Sequence, residues 1–204
     1  MKKLICVVVA VVAPISFYAT NVLSDISCEN FKKEKHIQIM QDVKKASEEQ
    51  VEAYKAEQLV IKEKNQIAAK HQPLLETIDR RYGHRIKEIA KKTRCPERII
   101  KAVIAVESGN NPNAKSKREA YGLMQVQKRT ALDVGVKASL YHPWWNIYAG
   151  SKYLMKLKKR FSTWELALAA YNAGPDAIDR AGGVPNFPET KKYLVKLSSL
   201  TGEF

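Results

Sequence analysis

Residues 96–122 read PERIIKAVIAVESGNNPNAKSKREAYG and are followed at once by LMQ; this stretch decides the fold. Its first half opens with Pro96, a residue suited to a first helical turn, and continues with apolar residues at helical spacing. The apolar residues are Ile99, Ile100, Val103, Ile104 and Val106. Gly109 and Pro112 predict the end of the helix a few residues later.

The last turn of this predicted helix carries Glu107, four residues after Val103 and seven after Ile100. That spacing places the carboxyl on the apolar face. Partial burial and the negative end of the helix dipole both disfavour a charged carboxylate, so we expect a raised pKa. A glutamic acid that keeps its proton near neutral pH suits general acid catalysis. On spacing alone, a solvated carboxylate at a helix end is the commoner case.

The motifs around and after Glu107 occur in the order found in one enzyme family. They are Glu107-Ser108-Gly109, Ser116, Gly122-Leu123-Met124-Gln125, Thr130-Ala131, Asn146-Ile147, Ala149-Gly150, Tyr153-Leu154, Ala170-Tyr171-Asn172-Ala173-Gly174-Pro175 and Glu189-Thr190. Together they resemble the catalytic domain of soluble-type lytic transglycosylases, lysozyme-like enzymes that cut peptidoglycan. The resemblance covers residues 82–204. It implies a mainly α, lysozyme-like domain.

The first 24 residues have the layout of a targeting segment. Lys2 and Lys3 precede an apolar run, and no acidic residue occurs before Asp25. Residues 4–23 are also just long enough to span a bilayer, so a cleaved signal peptide and a retained membrane anchor both remain open. Either alternative predicts an exported, periplasmic protein, soluble or tethered to the inner membrane.

Residues 25–72 form a second segment, which is rich in Lys, Glu, Gln and Ala and has no Gly or Pro. It predicts one long helix or two, with a heptad-like apolar seam that polar residues interrupt. The segment is therefore expected to be a weak coiled coil, a helix packed on the catalytic domain or a spacer. Pro73 predicts its boundary, and residues 73–204 form the lysozyme-like domain.

Charge is distributed unevenly between these parts. The chain has a formal net charge of +14; residues 25–72 hold nine acidic and nine basic side chains, whereas residues 73–204 hold 24 basic and 12 acidic ones. A basic domain attracts anionic polymers. No nucleic-acid-binding motif accompanies the charge, so we expect no nucleic acid partner and take the carboxylate-bearing cell-wall polymer as the anionic partner.

Cysteine and histidine usage predicts neither a metal site nor a cofactor. Cys6 lies in the apolar N-terminal run, while Cys28 and Cys95 are either a disulfide or two independent thiols. The four histidines are scattered and form no ligand-like spacing with cysteine. No cofactor is expected.

Helices further along the domain are predicted from periodicity and from breaker residues. Residues 110–121 are polar and turn-rich, and the resemblance implies a loop and a small irregular hairpin there that line the cleft. Helices are expected over residues 122–131, 146–161, 164–172 and 189–200, with Asn146 capping its helix. The alanine-rich helix over residues 164–172 is expected to be central and tightly packed. Trp144 and Trp145 are either a sugar-stacking platform or core packing.

The chemistry follows from the resemblance. Most glycosidases use two carboxylates. Soluble-type transglycosylases use one Glu, here Glu107, first as acid and then as base. With help from the substrate's N-acetyl group, the C6 hydroxyl of N-acetylmuramic acid attacks its own C1, giving a 1,6-anhydro product without water. Glu119 stands where a lysozyme-like second carboxylate would, although a surface turn position is the expectation.

The resemblance also assigns supporting residues. Ser116 and Gln125 match polar residues that line the cleft, and Met124 matches a residue that contacts sugar. Tyr171 and Asn172 belong to the AYNAG motif, in which the tyrosine hydroxyl is expected to orient the catalytic carboxyl by a hydrogen bond.

Glu189 and Tyr193 match the late E-T-x-x-Y pattern of the resembled family, in which the Glu stabilises the fold more often than it touches substrate. The predicted function is a peptidoglycan lytic transglycosylase. Its partner is the glycan strand, and residues 25–72 are open to a secretion, conjugation or pilus assembly. The alternatives are a muramidase of the same fold and a scaffold protein of a wall-spanning secretion machine.

Overall fold

The computed structural model describes residues 29–203, with side chains described from residue 35. The predicted signal or anchor over residues 1–24, together with Cys6 and Cys28, lies outside the described residues. Within residues 29–203, no helix combines the length and the apolar character that crossing a bilayer requires. The chain divides into two compact units, residues 1–61 and 62–204, each of which is described by itself.

Helices dominate the described residues. The elements are α1 (Glu29–Thr93), α2 (Glu97–Ser108), β1 (Ala120–Tyr121), β2 (Val126–Gln127), α3 (Lys128–Asp133), α4 (Pro143–Phe161), α5 (Trp164–Ala173), α6 (Pro175–Ala181) and α7 (Pro188–Thr201). Strands β1 and β2 pair antiparallel, with Ala120 opposite Gln127. The prediction of a mainly α domain preceded by a long helical segment is confirmed.

Helix α1 continues through Pro73, so the helix boundary predicted at this residue was wrong. An internal proline removes one N–H donor and costs roughly 3 kcal/mol. Strong helix formers before it, and the apolar face that begins just after it, offset that cost. The hydroxyl of Thr77 also donates a 2.9 Å hydrogen bond to the carbonyl of Pro73. The division of the chain between residues 72 and 73 stays a prediction.

The described part of the first unit is a helix in which several large apolar side chains are exposed. Ile37, Met40, Val51 and Tyr54 lie on the predicted heptad seam and are between 37% and 55% exposed. The seam is therefore uncovered in the described residues, and its pairing with a partner stays a prediction.

The second unit has a continuous apolar core. Its largest fully buried side chains are Ile78, Ile86, Ile89, Ile99, Ile100, Ile104, Leu123, Met124, Ile147, Leu154, Leu168 and Leu197. Helix α5 contacts α4, α6 and α7, and helix α2 packs on α7. The small side chains of α5 allow these close approaches, since residues 167–170 are completely buried. The predicted central, tightly packed helix is confirmed.

Three local predictions for this unit need correction. Residues 122–125 form the turn between β1 and β2 rather than the start of a helix, because Gly122 and Gln125 have positive φ angles of 73° and 47°. Asn146 does not cap α4, which begins three residues earlier at Pro143. Helix α6 was not predicted, because Gly174-Pro175 indicates a helix end, whereas Pro175 here occupies a first helical turn.

Candidate active site

Helix α2 presents Glu107 at its last turn. The helix ends at Ser108, and Gly109 follows in the left-handed conformation, with a φ of 58°. Burial raises the pKa of the Glu107 carboxyl, a hydrogen bond from Tyr193 opposes the rise, and the negative charge of Glu189 adds to it, so that the pKa lies at about 7. The carboxyl is therefore protonated in a large fraction of molecules at neutral pH and can both donate and accept a proton.

Tyr193 in helix α7 orients this carboxyl. Its hydroxyl donates a 2.8 Å hydrogen bond to Oε1 of Glu107. Burial, followed by the negative charge of Glu107, raises the pKa of Tyr193, so the phenol stays neutral and keeps its donor proton. The sequence prediction gave this bond to Tyr171, which is wrong. The E-T-x-x-Y pattern was the signal that could have identified Tyr193.

Tyr171 donates its hydroxyl proton elsewhere. It makes a 2.7 Å hydrogen bond to the carbonyl oxygen of Met124, which ties α5 to the turn between β1 and β2. Burial and then the charge of Glu107 raise the pKa of Tyr171, so this tyrosine is close enough to interact electrostatically with the Glu107 carboxyl. Tyr171 lines the same cleft as Glu107.

Met124 is a core residue rather than a sugar contact, so that prediction was wrong. Its side chain is completely buried. It packs on Gly150 of α4, where a Cβ atom would lie only 2.7 Å from the Met124 sulfur. An unbranched apolar side chain can occupy such a gap, and the glycine allows the close approach.

Asn146 holds the same turn in place from helix α4. Its amide nitrogen donates to the carbonyl oxygens of Tyr121 at 2.7 Å and Leu140 at 2.8 Å. Its side-chain oxygen accepts a 2.8 Å bond from the backbone N–H of Met124. A side chain at Gly122 would collide with this amide and with the carbonyl of Leu140. The Asn146 amide therefore positions the wall of the cleft.

A cleft of about 430 Å³ opens beside Glu107. Its lining residues are Glu107, Ser116, Arg118, Ala120, Gln125, Val126, Gln127, Thr130, Tyr153, Tyr171, Asn172, Ala173, Gly174, Pro175 and Glu189. All the predicted site residues except Met124 thus lie along one cavity.

Several polar side chains of the cleft also hold its backbone. The hydroxyl of Ser116 accepts hydrogen bonds from the N–H groups of Arg118 and Ala120. The amide nitrogen of Gln125 donates a 3.0 Å hydrogen bond to the carbonyl of Gly122. The side-chain oxygen of Asn172 accepts a 2.8 Å bond from the Thr190 hydroxyl, which joins α5 to α7.

Glu189, and not Glu119, is the second carboxylate that lines the cleft. Glu119 is exposed in a left-handed turn with a φ of 56°, as expected for a surface turn, and it is absent from the lining of the cleft. Glu189, at the start of α7, lines the cleft and raises the pKa of Glu107 through its charge. The E-T-x-x-Y pattern alone predicts only a stabilising role for Glu189.

Other candidate residues lie outside this cleft. Trp144 stacks on Tyr148 with ring centroids 4.9 Å apart and meets Trp145 edge-on, and neither tryptophan lines the cleft. Cys95 is a buried free thiol, and burial raises its pKa to about 12. In the part of the chain that the structure describes, no cluster of three His, Cys, Asp or Glu side chains is placed to hold a metal ion.

Comparisons with known proteins converge on one family. The chain is 45% identical over 85 residues to the membrane-bound lytic murein transglycosylase F of Pseudoalteromonas translucida, covering 38% of this chain and 18% of that protein. It is 33% identical over 91 residues to the transglycosylase of Enterobacteria phage PRD1, covering 45% and 34%. It therefore spans between 18% and 34% of the length of these two relatives.

The structure and the family model agree with these relatives. The 70 kDa soluble lytic transglycosylase of Escherichia coli superposes with a TM-score of 0.53 at 26% sequence identity, covering 59% of this chain and 23% of that one. The model of the transglycosylase SLT domain matches residues 84–194, more than half of the sequence. On this match, the chain belongs to the transglycosylase SLT domain family.

Proposed function

We propose that this protein is a peptidoglycan lytic transglycosylase that cleaves the β-1,4 bond between N-acetylmuramic acid and N-acetylglucosamine. The observation that carries the proposal is the half-buried carboxyl of Glu107, which lines a cleft and has a pKa of about 7. Membership of the transglycosylase SLT domain family supports the same chemistry.

In the proposed reaction, Glu107 performs both proton transfers. The protonated carboxyl first donates its proton to the glycosidic oxygen as the C1–O bond breaks, so the leaving sugar departs as a neutral alcohol. The N-acetyl group of N-acetylmuramic acid stabilises the positive charge at C1. The Glu107 carboxylate then removes the proton of the C6 hydroxyl, whose oxygen bonds to C1. Glu107 ends protonated, and no water is consumed.

The surroundings of Glu107 suit this double role. A pKa near neutrality leaves comparable populations of donor and acceptor forms. The Tyr193 hydroxyl fixes Oε1 at 2.8 Å, which restricts the rotation of the carboxyl. Tyr171 and Asn172 line the adjacent wall, where they can contact the sugars.

A muramidase is the second candidate, because Glu189 places another carboxylate along the cleft. In that reaction the second carboxylate would activate a water molecule or trap C1. The two reactions differ in product mass by one water. The third alternative, a scaffold protein with little turnover, predicts no soluble product.

Product mass spectrometry tests the proposal. The full chain, Glu107→Gln and the control Glu119→Gln are incubated with purified peptidoglycan, and the released muropeptides are weighed. We expect anhydro products from the full chain and from Glu119→Gln. Glu107→Gln keeps the shape of the side chain but has no acidic proton, so the rate should fall by orders of magnitude. Reducing-end products would establish the muramidase, and no products from folded protein would favour the scaffold.

We further propose that the protein is exported to the periplasm. Lys2 and Lys3 before the apolar run of residues 4–23 support export, with retention in the inner membrane or cleavage as the two alternatives. Fractionation of cells distinguishes them, since a retained chain sediments with membranes. An association of residues 25–72 with a secretion, conjugation or pilus assembly is supported by the exposed apolar residues of α1.

A further inference from the structure

The second unit contains another cavity, of about 400 Å³, next to the cleft. Neighbouring residues of the same segments line the two cavities. Ala120 lines the cleft and Tyr121 lines the second cavity; Thr130 lines the cleft and Ala131 the second cavity. Since successive residues of a strand point to opposite faces, strand β1 and the first turn of α3 form a wall between the two spaces.

The second cavity combines an aromatic floor with positive charge. Tyr121 is only 7% exposed, and the ring of Tyr141 meets it edge-on with centroids 5.4 Å apart. The ammonium group of Lys128, which lines the cavity, lies 5.8 Å from the centroid of the Tyr121 ring. Lys137 stands at the rim.

The remaining lining residues are aliphatic or small, and Ser139 adds one hydroxyl. No acidic side chain is among the residues that line this cavity. A carboxylate entering it meets two ammonium groups, Lys128 and Lys137, without a competing anion, while apolar groups meet the tyrosine rings and Leu132. The chemistry matches a short peptide that carries both carboxylates and small apolar side chains.

We propose that this cavity binds the acidic stem peptide attached to the N-acetylmuramic acid of a glycan strand held in the cleft. This inference rests on the proposed function, because the stem peptide belongs to the same polymer. An extended peptide advances about 3.3 to 3.6 Å per residue, so three or four residues reach roughly 10 to 14 Å. Adjacent residues of β1, Ala120 and Tyr121, line one cavity each, so a peptide with this reach can extend from a glycan strand in the cleft to the second cavity.

A binding experiment tests the inference without turnover. The full chain carrying Glu107→Gln is titrated with free stem tetrapeptide and, separately, with the same peptide fully amidated, at low ionic strength. We expect the acidic peptide to bind and to shift the NMR ring resonances of Tyr121 and Tyr141, with amidated peptide binding at least about tenfold more weakly. No binding, equal binding of both peptides, or shifts at Tyr171 alone would overturn the inference.

Charge reversal locates the site. Lys128→Glu combined with Lys137→Glu should weaken peptide binding about tenfold or more, because two favourable charge interactions become repulsive. Lys159→Glu is the matched control: it reverses an exposed lysine that lines neither cavity and should leave binding unchanged. Equal weakening by the control would show a diffuse effect of net charge and overturn the site.

Steady-state kinetics on glycan strands with and without stem peptides test this inference separately from the proposed function. With Glu107 intact, the charge-reversed double variant should raise KM about tenfold for glycan strands that carry stem peptides and leave kcat unchanged. On strands stripped of peptides by an amidase, it should match the unmodified enzyme. Equal losses on both strands would overturn the inference. If the unmodified enzyme cuts neither strand, the proposed function fails, while the peptide titration still decides whether the cavity binds the acidic peptide.

Discussion

The hydroxyl of Tyr193 donates a 2.8 Å hydrogen bond to Oε1 of Glu107 across 86 residues of sequence. This hydrogen bond opposes the other effects on the pKa of Glu107. Burial and the charge of Glu189 raise the pKa of Glu107, whereas the tyrosine bond stabilises the carboxylate and lowers it. The balance leaves the pKa at about 7, where one carboxyl can serve as acid and as base.

Tyr193→Phe should move the alkaline limb of the pH profile of kcat/KM upward. The substitution removes the bond that favours the carboxylate, so the pKa of Glu107 rises. Loss of a hydrogen bond to a charged group costs about 1.5 to 3 kcal/mol, so kcat/KM should fall roughly 10- to 100-fold. Tyr153→Phe is the control, because Tyr153 lines the same cleft. A profile that stays in place for Tyr193→Phe would contradict this role.

Glu189→Gln should move the same limb in the opposite direction. The variant removes the negative charge that raises the pKa of Glu107, so protonated enzyme is lost at lower pH. The measurement is kcat/KM between pH 5 and 9 at low salt, where screening is weakest. Glu119→Gln, an exposed carboxylate outside the cleft, is the matched control. An upward movement of the limb would show that Glu189 acts on Glu107 by another route.

Glu107 should make stability depend on pH. Its ordinary pKa is 4.5, which we take for the unfolded chain, and its pKa in the folded protein is about 7. Between these pH values the folded state therefore binds more protons than the unfolded chain does. The stability that this carboxyl contributes is fully present below about pH 4.5 and is lost as pH rises through about 7. Relative to the unmodified protein, Glu107→Gln should therefore gain about 3 kcal/mol between pH 4 and pH 8.

Urea unfolding at the two pH values measures this gain, and comparing the variant with itself cancels any constant cost of the amide. Glu119→Gln should show no such difference between the two pH values. A free energy of unfolding that changes equally for Glu107→Gln and the unmodified protein would contradict a raised pKa of Glu107.

Asn146→Ala should destabilise the second unit and open the wall of the cleft. The amide is completely buried, and its loss leaves the carbonyls of Tyr121 and Leu140 and the N–H of Met124 without this partner. Each unsatisfied buried group costs about 1 to 3 kcal/mol, so a loss on the order of 3 kcal/mol or more is expected. Asn186→Ala, at an exposed position, should change the free energy of unfolding by less than about 0.5 kcal/mol.

The sequence predicts the elements whose signals are local. The apolar spacing of α2 places Glu107 on a buried face, and the alanine-rich run predicts the central helix α5, because both depend on residues close together in the chain. The hydrogen bond of Tyr193 is different. Which tyrosine reaches the acid depends on the packing of α7 against α2, and helical periodicity contains no information about that register.

Side-chain burial and backbone conformation explain why the structure differs from the sequence predictions at three other residues. Met124 lies within a motif that lines the cleft, yet its side chain enters the core beside Gly150, which only the approach of α4 determines. Pro73 is a strong local signal for a helix end, but favourable residues on both sides outweigh it. The inward-facing amide of Asn146 cannot be distinguished from a helix cap without knowing where Pro143 begins the helix.

The pairing of Glu107 with Tyr193 also determines when the site can first exist. Helix α2 is complete early in the chain, whereas its orienting hydroxyl belongs to the last helix, α7. Closing so long a loop is entropically unfavourable until the intervening helices are packed, so this contact forms late in folding. A chain truncated before Tyr193 would carry the acid without its orienting donor. Under the proposed function, glycan cleavage would therefore begin only after the final helix has docked.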